Sequence, residues 1–168
     1  MTAPLRPARP AWRSPRSLLI LAGALALSLA ASQLGSAVTV PNLPWYDGLA
    51  KPSFNPPKLA FPIAWTILYA LMAVSLWRVA VIGEGAARRR ALTAYAVQFA
   101  LNVAWSFAFF GAQNPGLGLG VILALLAAIV WTILTFRSID GLAAGLLHPY
   151  LAWVAFATAL NASILFLN

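Results

Sequence analysis

The chain contains 168 residues, of which 62% are hydrophobic and 8% are charged, and its formal net charge at pH 7 is +8. Soluble domains carry about 25% charged residues, so this composition excludes an ordinary soluble domain, and the length leaves little chain for a second domain. The sequence has no cysteine, which excludes disulfides, thiolate metal sites and thiol nucleophiles.

Long apolar stretches determine the fold class. Four of them contain no charged residue, at 17–46, 59–77, 91–136 and 141–168. A helix needs about 20 apolar residues to cross a bilayer, and the third stretch is interrupted by the sequence GAQNPG at 111–116. The sequence therefore predicts an all-α integral membrane protein, a bundle of five transmembrane helices.

Residues 1–16 are predicted to form an N-terminal tail outside the membrane domain. Residues 1–16 contain four arginines and four prolines, which predicts a disordered, basic cytoplasmic segment. Basic residues followed by the apolar run 18–31 also resemble a cleavable secretory signal, but the run continues to Val40 and favours a retained first span.

Residues 17–168 are predicted to form one transmembrane domain. Its helices are expected at about 17–40, 58–80, 88–110, 116–136 and 142–166, with a lid loop at 41–57. That loop contains five prolines, which fix φ and remove hydrogen-bond donors. We therefore expect the loop to be stiff, to lack a regular helix, and to lie over the bundle.

The basic residues lie at the ends of the apolar segments, which favours a role in membrane orientation over nucleic-acid binding. With five spans, all nine arginines fall on one side, against Lys51 and Lys58 on the other. The positive-inside rule then predicts a cytoplasmic N-terminus and an external C-terminus.

Two glycine pairs have the spacing of close helix contacts. Gly116 and Gly120, and likewise Gly141 and Gly145, are four residues apart. This spacing lets helix backbones approach, and we expect it to serve packing within the chain in preference to a dimer interface.

Ionisable groups are scarce where membrane transport chemistry would need them. The three acidic residues, Asp47, Glu84 and Asp140, all fall in connections between spans. Proton-coupled carriers need such groups inside the bundle, so this distribution argues against a secondary active carrier and predicts no carboxylate metal site.

His148 is the single histidine, so no nucleophile–base–acid constellation can be assembled and conventional hydrolysis is not expected. A ligand contact and a local hydrogen bond both remain open for this histidine.

Three helical stripes combine aromatic and amide side chains. They comprise Trp65 and Tyr69 on the second span, Gln98, Asn102, Trp105 and Phe109 on the third, and Tyr150, Trp153, Ala157 and Asn161 on the fifth. Spacing alone favours interhelical hydrogen bonds and interfacial aromatic belts. The position of Trp65 and Trp105 well inside their spans instead indicates a pocket for a large, flat, mostly apolar ligand. Both interpretations remain open at this point.

Four motifs, in order and at compatible spacing, carry a family resemblance. They are WYDGLAKPSFNPP, FPIAWTILYALM, QFALNVAW with a following FFG, and HPYLAWVAFATALN. Together they closely resemble the TspO/MBR family, the tryptophan-rich sensory proteins and mitochondrial translocator proteins, over about 40–168. The resemblance implies a five-helix bundle, commonly homodimeric, with a pocket beneath the loop that joins the first two helices.

The resemblance also implies a function. Family members bind porphyrins such as protoporphyrin IX and haem, so we expect a membrane receptor for such ligands, in tetrapyrrole regulation or stress response, with no required cofactor and no metal site. Motif match and the stripes together give the expected ligand-binding residues: Tyr46, Asn55, Trp65, Tyr69, Gln98, Asn102, Trp105, Phe109, Trp153 and Ala157. Surrounding lipid and a second copy of the chain are the other expected partners, and no nucleic acid is expected. The arginine asymmetry favours the inner membrane of a bacterium.

Two alternatives to a receptor remain. Some bacterial relatives promote light- and oxygen-dependent degradation of protoporphyrin, and Trp65 and Trp153 would then be the catalytic residues. A passive transporter of porphyrin or lipid is the other alternative.

The sequence departs from the family pattern in two places. Phe54 and Leu59 stand where many relatives have tryptophan, so the lid has less aromatic surface. Residues 162–168 lack the tyrosine and arginine of the cholesterol-recognition segment, so sterol binding through that segment is not expected. Lys51 and Lys58 are read either as attracting ligand carboxylates or as ordinary interfacial lysines.

Overall fold

The computed structural model describes residues 12–168, and every regular element in that range is a helix. The helices are α1 (Pro15–Thr39), α2 (Leu43–Gly48), α3 (Ala60–Ile82), α4 (Gly85–Ser106), α5 (Pro115–Arg137), α6 (Gly141–Gly145) and α7 (His148–Leu167). Most of the predicted basic tail, residues 1–11, lies outside the described residues.

Within residues 12–168, five helical stretches are long and apolar enough to cross a membrane. They are Pro15–Gly48, Ala60–Ile82, Gly85–Gly111, Pro115–Arg137 and Gly141–Leu167. The prediction of an all-α protein with five transmembrane helices is therefore confirmed.

The first span is longer than expected, and the lid is partly helical. After α1 the chain makes one 3₁₀ turn, Val40–Asn42, and continues into α2. The prediction that prolines prevent a helix throughout 41–57 is therefore wrong for 41–48. Pro41 and Pro44 both fall in the first turn of a helical segment, where the missing N–H would have no helical partner. Residues 43–59, comprising α2 and the irregular chain after it, are called the lid segment below.

The fifth span is interrupted where the sequence predicted one continuous helix from 142 to 166. The short helix α6 ends at Gly145, and α7 begins at His148 with Pro149 in its first turn. Proline has no N–H to continue the hydrogen-bond ladder from α6, so the chain starts a new helix. The third span also ends irregularly, in a π-helical turn at Phe107–Gly111.

The core lies among α3, α4, α5 and α7. Helix α5 packs against α4 and α7, and α1 packs against α3. Met72, Ile129, Phe136 and Tyr150 are fully buried there. Leucines on α1 such as Leu19, 73% exposed, lie on the outside, as expected for a lipid-facing surface.

Three of the four glycines in the two pairs make no close helix contact. Among residues 12–168, no atom lies within 4 Å of a Cβ built on Gly120, Gly141 or Gly145. The predicted packing role is therefore wrong for these three glycines, while a Cβ on Gly116 would lie 3.7 Å from Leu165 Cδ1 on α7, an ordinary van der Waals contact. The close approach occurs instead at Gly118, where atoms of Phe109 and Asn161 would lie 2.9 Å from an added Cβ.

Aromatic and charged groups close the bundle at the face where α1 begins. The Trp12 ring lies 5.0 Å from the Trp77 ring, and its face lies 4.9 Å from the Arg78 guanidinium carbon. The Trp77 Nε1 donates to the Ser17 carbonyl at 3.0 Å. Arg78 forms an ion pair with Asp140. Burial tends to raise the pKa of Asp140, but the hydrogen bond and charge of Arg78 outweigh it and hold this pKa below its usual value.

Candidate ligand-binding site

A cavity of about 400 Å³ lies in the half of the bundle farthest from the start of α1. Its walls come from the C-terminal part of α1, the start of α3, the end of α4 with its π turn, and α7, while α2 contributes Leu43 and Tyr46. The lining is mainly apolar, and the volume lies within the roughly 300–1,000 Å³ of typical small-molecule sites. The cavity therefore has the size and character of a ligand pocket.

Three tryptophans from three different helices line this cavity: Trp65 on α3, Trp105 on α4 and Trp153 on α7. The Trp65 ring lies 5.4 Å from the Tyr69 ring, and Phe61 meets Trp153 edge to face at 6.0 Å. These separations are those of favourable aromatic pairs, which hold the rings in place. The indoles thus present a preformed apolar surface to the interior of the cavity.

Hydrogen bonds tie the amides of the stripes to aromatic side chains. The Tyr69 hydroxyl donates to Asn102 Oδ1 at 2.7 Å, and Asn102 Nδ2 donates to the Tyr150 hydroxyl at 3.1 Å. Between α4 and α7, Trp105 Nε1 donates to Asn161 Oδ1 at 3.2 Å. Unpaired polar groups are costly inside a bilayer, so these interhelical bonds stabilise the bundle. The same stripes therefore form hydrogen bonds between helices and line a cavity.

The lid segment is held over the cavity by Tyr46, which is 7% exposed. Its ring packs against Phe110 at 5.7 Å, and its hydroxyl donates to Asn55 Oδ1 at 2.9 Å. The Lys51 ammonium lies 4.7 Å from the centre of the same ring, a cation–π distance. Tyr46 therefore holds the lid segment together through Asn55 and Lys51, and it attaches the segment to the bundle through Phe110.

A second attachment joins the lid to residue 168. The Ala50 N–H donates to Asn168 Oδ1 at 2.9 Å, and Asn168 Nδ2 donates back to the Ala50 carbonyl at 3.1 Å. The two residues are 118 positions apart in the sequence, so this two-point contact joins the irregular part of the lid to the distant end of α7.

Eight of the ten predicted ligand-binding residues line the cavity. They are Tyr46, Trp65, Tyr69, Asn102, Trp105, Phe109, Trp153 and Ala157. Asn55 does not line it and instead bonds to Tyr46. Gln98 is 1% exposed and lies outside the lining, and neither polar atom of its amide has a hydrogen-bond partner among the described residues. The structure thus brings the stripes together but separates these two amides from the cavity.

One wall of the cavity was not predicted. Helix α1 contributes Ser32, Gly35, Ser36 and Thr39. Their spacing places them on one face of a helix, a signal that could have been read from the sequence. It was hidden because the first span is rich in small residues throughout.

Lys58 and His148 lie in different positions relative to the cavity. Lys58 lines the cavity and forms an exposed ion pair with Asp47 at 2.7 Å, so its positive charge lies at the cavity's edge. His148 is exposed, and its Nδ1 lies 3.2 Å from the Gly145 carbonyl, outside the cavity. In residues 12–168 no three His, Asp or Glu side chains come together as metal ligands would.

Comparison with known proteins agrees with the resemblance seen in the motifs. The TspO/MBR family model matches residues 9–167. The tryptophan-rich protein TspO of Chlorobaculum tepidum is 41% identical over 157 residues, covering 91% of this chain and 98% of that protein. The tryptophan-rich sensory protein of Cereibacter sphaeroides is 41% identical over 74% of this chain and 77% of its own length. The human translocator protein is 40% identical over 71% of this chain and 72% of its own length. The chain therefore belongs to the TspO/MBR family.

Proposed function

We propose that this protein is a membrane receptor that binds a porphyrin-type ligand, such as protoporphyrin IX or haem, in the cavity beneath the lid segment. The observation that carries the proposal is the convergence of Trp65, Trp105 and Trp153, from three helices, on one apolar cavity of about 400 Å³. A flat macrocycle offers large aromatic faces, and stacked or edge-to-face aromatic pairs contribute about 0.5–1.5 kcal/mol each beyond area burial.

Apolar and aromatic contacts supply most of the proposed affinity. Tyr69 and Asn102 already bond to each other, and Asn102 also bonds to Tyr150, so these groups have limited capacity left for a ligand. Lys58, at the edge of the cavity, is the lining residue suited to a propionate group. Its pairing with Asp47 would be exchanged or shared when a carboxylate binds.

The proposal includes the setting of the receptor. It acts in tetrapyrrole regulation or stress response, in the inner membrane of a bacterium, as a homodimer with a cytoplasmic N-terminus. The orientation is supported by the face where α1 begins: α3 and α5 end there and α4 starts there, so Arg16, Arg78, Arg88 and Arg137 share it. Lys51 and Lys58 belong to the lid segment at the opposite end.

A fluorescence titration with protoporphyrin IX tests the proposal. Replacing Trp65 and Trp153 together by phenylalanine should weaken binding several-fold, because the indole faces are lost while an aromatic ring is kept. The chain has seven tryptophans, so five remain to report quenching in the double variant. Trp131→Phe is the matched control, since Trp131 is 42% exposed on α5 and does not line the cavity. Equal dissociation constants for the double variant and the control would refute the proposed pocket.

Oxidative turnover of the porphyrin is the second candidate function. The observation that favours it is that Trp65 lines the cavity and also lies near Tyr69 and Tyr150, at ring separations of 5.4 and 6.3 Å, which gives a row of oxidisable rings. Illumination of the purified protein with protoporphyrin IX in air separates the two functions. Loss of the Soret band that requires Trp65 and Trp153 indicates turnover, and a stable spectrum indicates binding alone.

A further inference from the structure

A second cavity, of about 220 Å³, lies at the opposite end of the bundle from the aromatic cavity. It is formed where α1 and α4 begin and α3 ends, and unlike the aromatic cavity it is lined mainly by polar surface. The lining residues that matter below are Ser14, Arg16, Ile20, Glu84 and Arg88. None of its lining residues belongs to the predicted ligand-binding site or to the four family motifs.

Two guanidinium groups without carboxylate partners reach this cavity from different helices. Within residues 12–168, neither Arg16 nor Arg88 has a carboxylate oxygen within 4.0 Å, whereas Arg78 nearby is paired with Asp140. Residues 1–11 contain no aspartate or glutamate that could supply one. The exposed Glu84 also lines the cavity, so the described lining residues carry two positive charges and one negative charge, a net charge of +1.

Two helix N-termini add to the positive potential. At α1, Ser14 Oγ accepts a hydrogen bond from the Ser17 N–H at 3.2 Å, which leaves the Ser14 hydroxyl proton able to donate. Helix α4 follows Glu84 without a side-chain cap in the described part of the chain, so its first N–H groups keep their donor capacity. The N-terminal ends of helices attract anions, and here two of them meet beside two arginines.

We propose that this cavity binds the phosphate group of an anionic membrane phospholipid. Guanidinium groups form paired, charge-assisted hydrogen bonds with phosphate oxygens, and basic pockets between helices at a membrane surface suit anionic lipid headgroups. The surroundings favour a lipid over a free ion, because Ile20 gives the cavity an apolar side and the neighbouring Leu18 and Leu19 are 52% and 73% exposed on α1. The acyl chains would lie along this leucine surface.

Lipid binding to the full chain in detergent, followed by native mass spectrometry, tests the proposal. Phosphatidylglycerol should bind more tightly than phosphatidylcholine of the same chain length. Arg16→Gln and Arg88→Gln should each weaken phosphatidylglycerol binding about fivefold, since an arginine near the membrane surface contributes about that factor. Glu84→Gln should strengthen binding, because it removes the one negative charge of the lining.

Arg137→Gln is the matched control. It removes the same charge at the same face of the bundle, from an exposed residue at the end of α5 that does not line the cavity. An equal loss of binding in Arg137→Gln, no loss in Arg16→Gln and Arg88→Gln, or no gain in Glu84→Gln would overturn the proposal. Displacement of the lipid by millimolar inorganic phosphate would assign the cavity to free phosphate and overturn it as well. The outcome is independent of protoporphyrin binding in the other cavity.

Discussion

Gly118 is the position where one added methyl group should disturb both stability and the ligand site. It lies on α5, buried, opposite two residues at the wall of the aromatic cavity. A Cβ at this position would lie 2.9 Å from Asn161 Oδ1, 2.9 Å from Phe109 Cδ2 and 3.0 Å from Phe109 Cβ. Carbon atoms in contact are normally at least about 3.5 Å apart, so the shortfall is about 0.6 Å from the aromatic carbon.

The free energy of this change is the difference between two effects. Overpacking a well-packed site costs about 1–3 kcal/mol, while alanine gains about 1 kcal/mol over glycine in helix propensity. Gly118→Ala should therefore be destabilising by up to about 2 kcal/mol. Gly120→Ala, two residues away on the same helix, meets no described atom within 4 Å and should gain the propensity term alone. The two variants should thus differ by roughly 1–3 kcal/mol, which corresponds to a difference in melting temperature of several degrees for a chain of this length.

Thermal unfolding of both variants in the same detergent measures this difference. Gly118→Ala should melt below Gly120→Ala, and it should also bind protoporphyrin IX more weakly, because Asn161 accepts the Trp105 indole hydrogen bond at 3.2 Å. A Gly118→Ala protein that melts at or above the temperature of Gly120→Ala would refute the close contact.

Three further predictions concern the hydrogen bonds and the ion pair. Tyr69→Phe removes the 2.7 Å bond to Asn102 and should destabilise the protein by about 1–3 kcal/mol in thermal unfolding, because a buried amide oxygen loses its donor; an unchanged melting temperature would contradict this. Asn168→Ala removes both bonds to Ala50 and should accelerate amide exchange of the Ala50 N–H in hydrogen–deuterium exchange, with α5 amides as the internal control. Equal Ala50 exchange rates in the variant and the wild type would show that Asn168 does not hold the lid. Asp140 has a lowered pKa, so its ion pair stabilises the protein above the ordinary aspartate value of about 3.9 and is lost as the pH falls through the folded-state pKa. Melting temperature should therefore drop more steeply below about pH 4 in the wild type than in Asp140→Asn, and parallel pH profiles would contradict the assignment.

The spans were predictable because bilayer crossing depends on composition and length, both of which can be read from a sequence. The ends of the spans were less predictable. Pro41 and Pro44 stop a helix when they are in its interior but are tolerated in its first turn, and the sequence does not show which position each one takes. The break before His148 depends on the same property of Pro149.

The cavity was predictable to the extent that helical spacing and motif resemblance could place its residues. Trp65, Trp105 and Trp153 lie on stripes whose faces turn inward, so their convergence follows from helix geometry. The wall from α1 was missed because its small residues leave no contrast between the faces of the helix. Gln98 was included because it lies on the same stripe and in the same motif as Asn102, and only the packing of neighbouring helices places it outside the cavity.

Close contacts between helices were the hardest to predict. The spacing of Gly116 and Gly120 suggested a close contact at both, yet Gly120 faces open space among the described residues. Gly116 reaches only an ordinary contact with Leu165, and the closest approach is at Gly118. A spacing rule identifies a face of a helix, while the rotation of that helix against its neighbours decides which glycine meets another side chain.

The most direct test of the ligand site is to locate a bound porphyrin by its metal. Crystals of the protein with zinc protoporphyrin IX, measured at the zinc absorption edge, would give the position of the metal from its anomalous signal alone. We predict one strong peak inside the aromatic cavity, between the indoles of Trp65, Trp105 and Trp153. A peak on the lipid-facing surface, with the aromatic cavity lacking porphyrin density, would contradict the account.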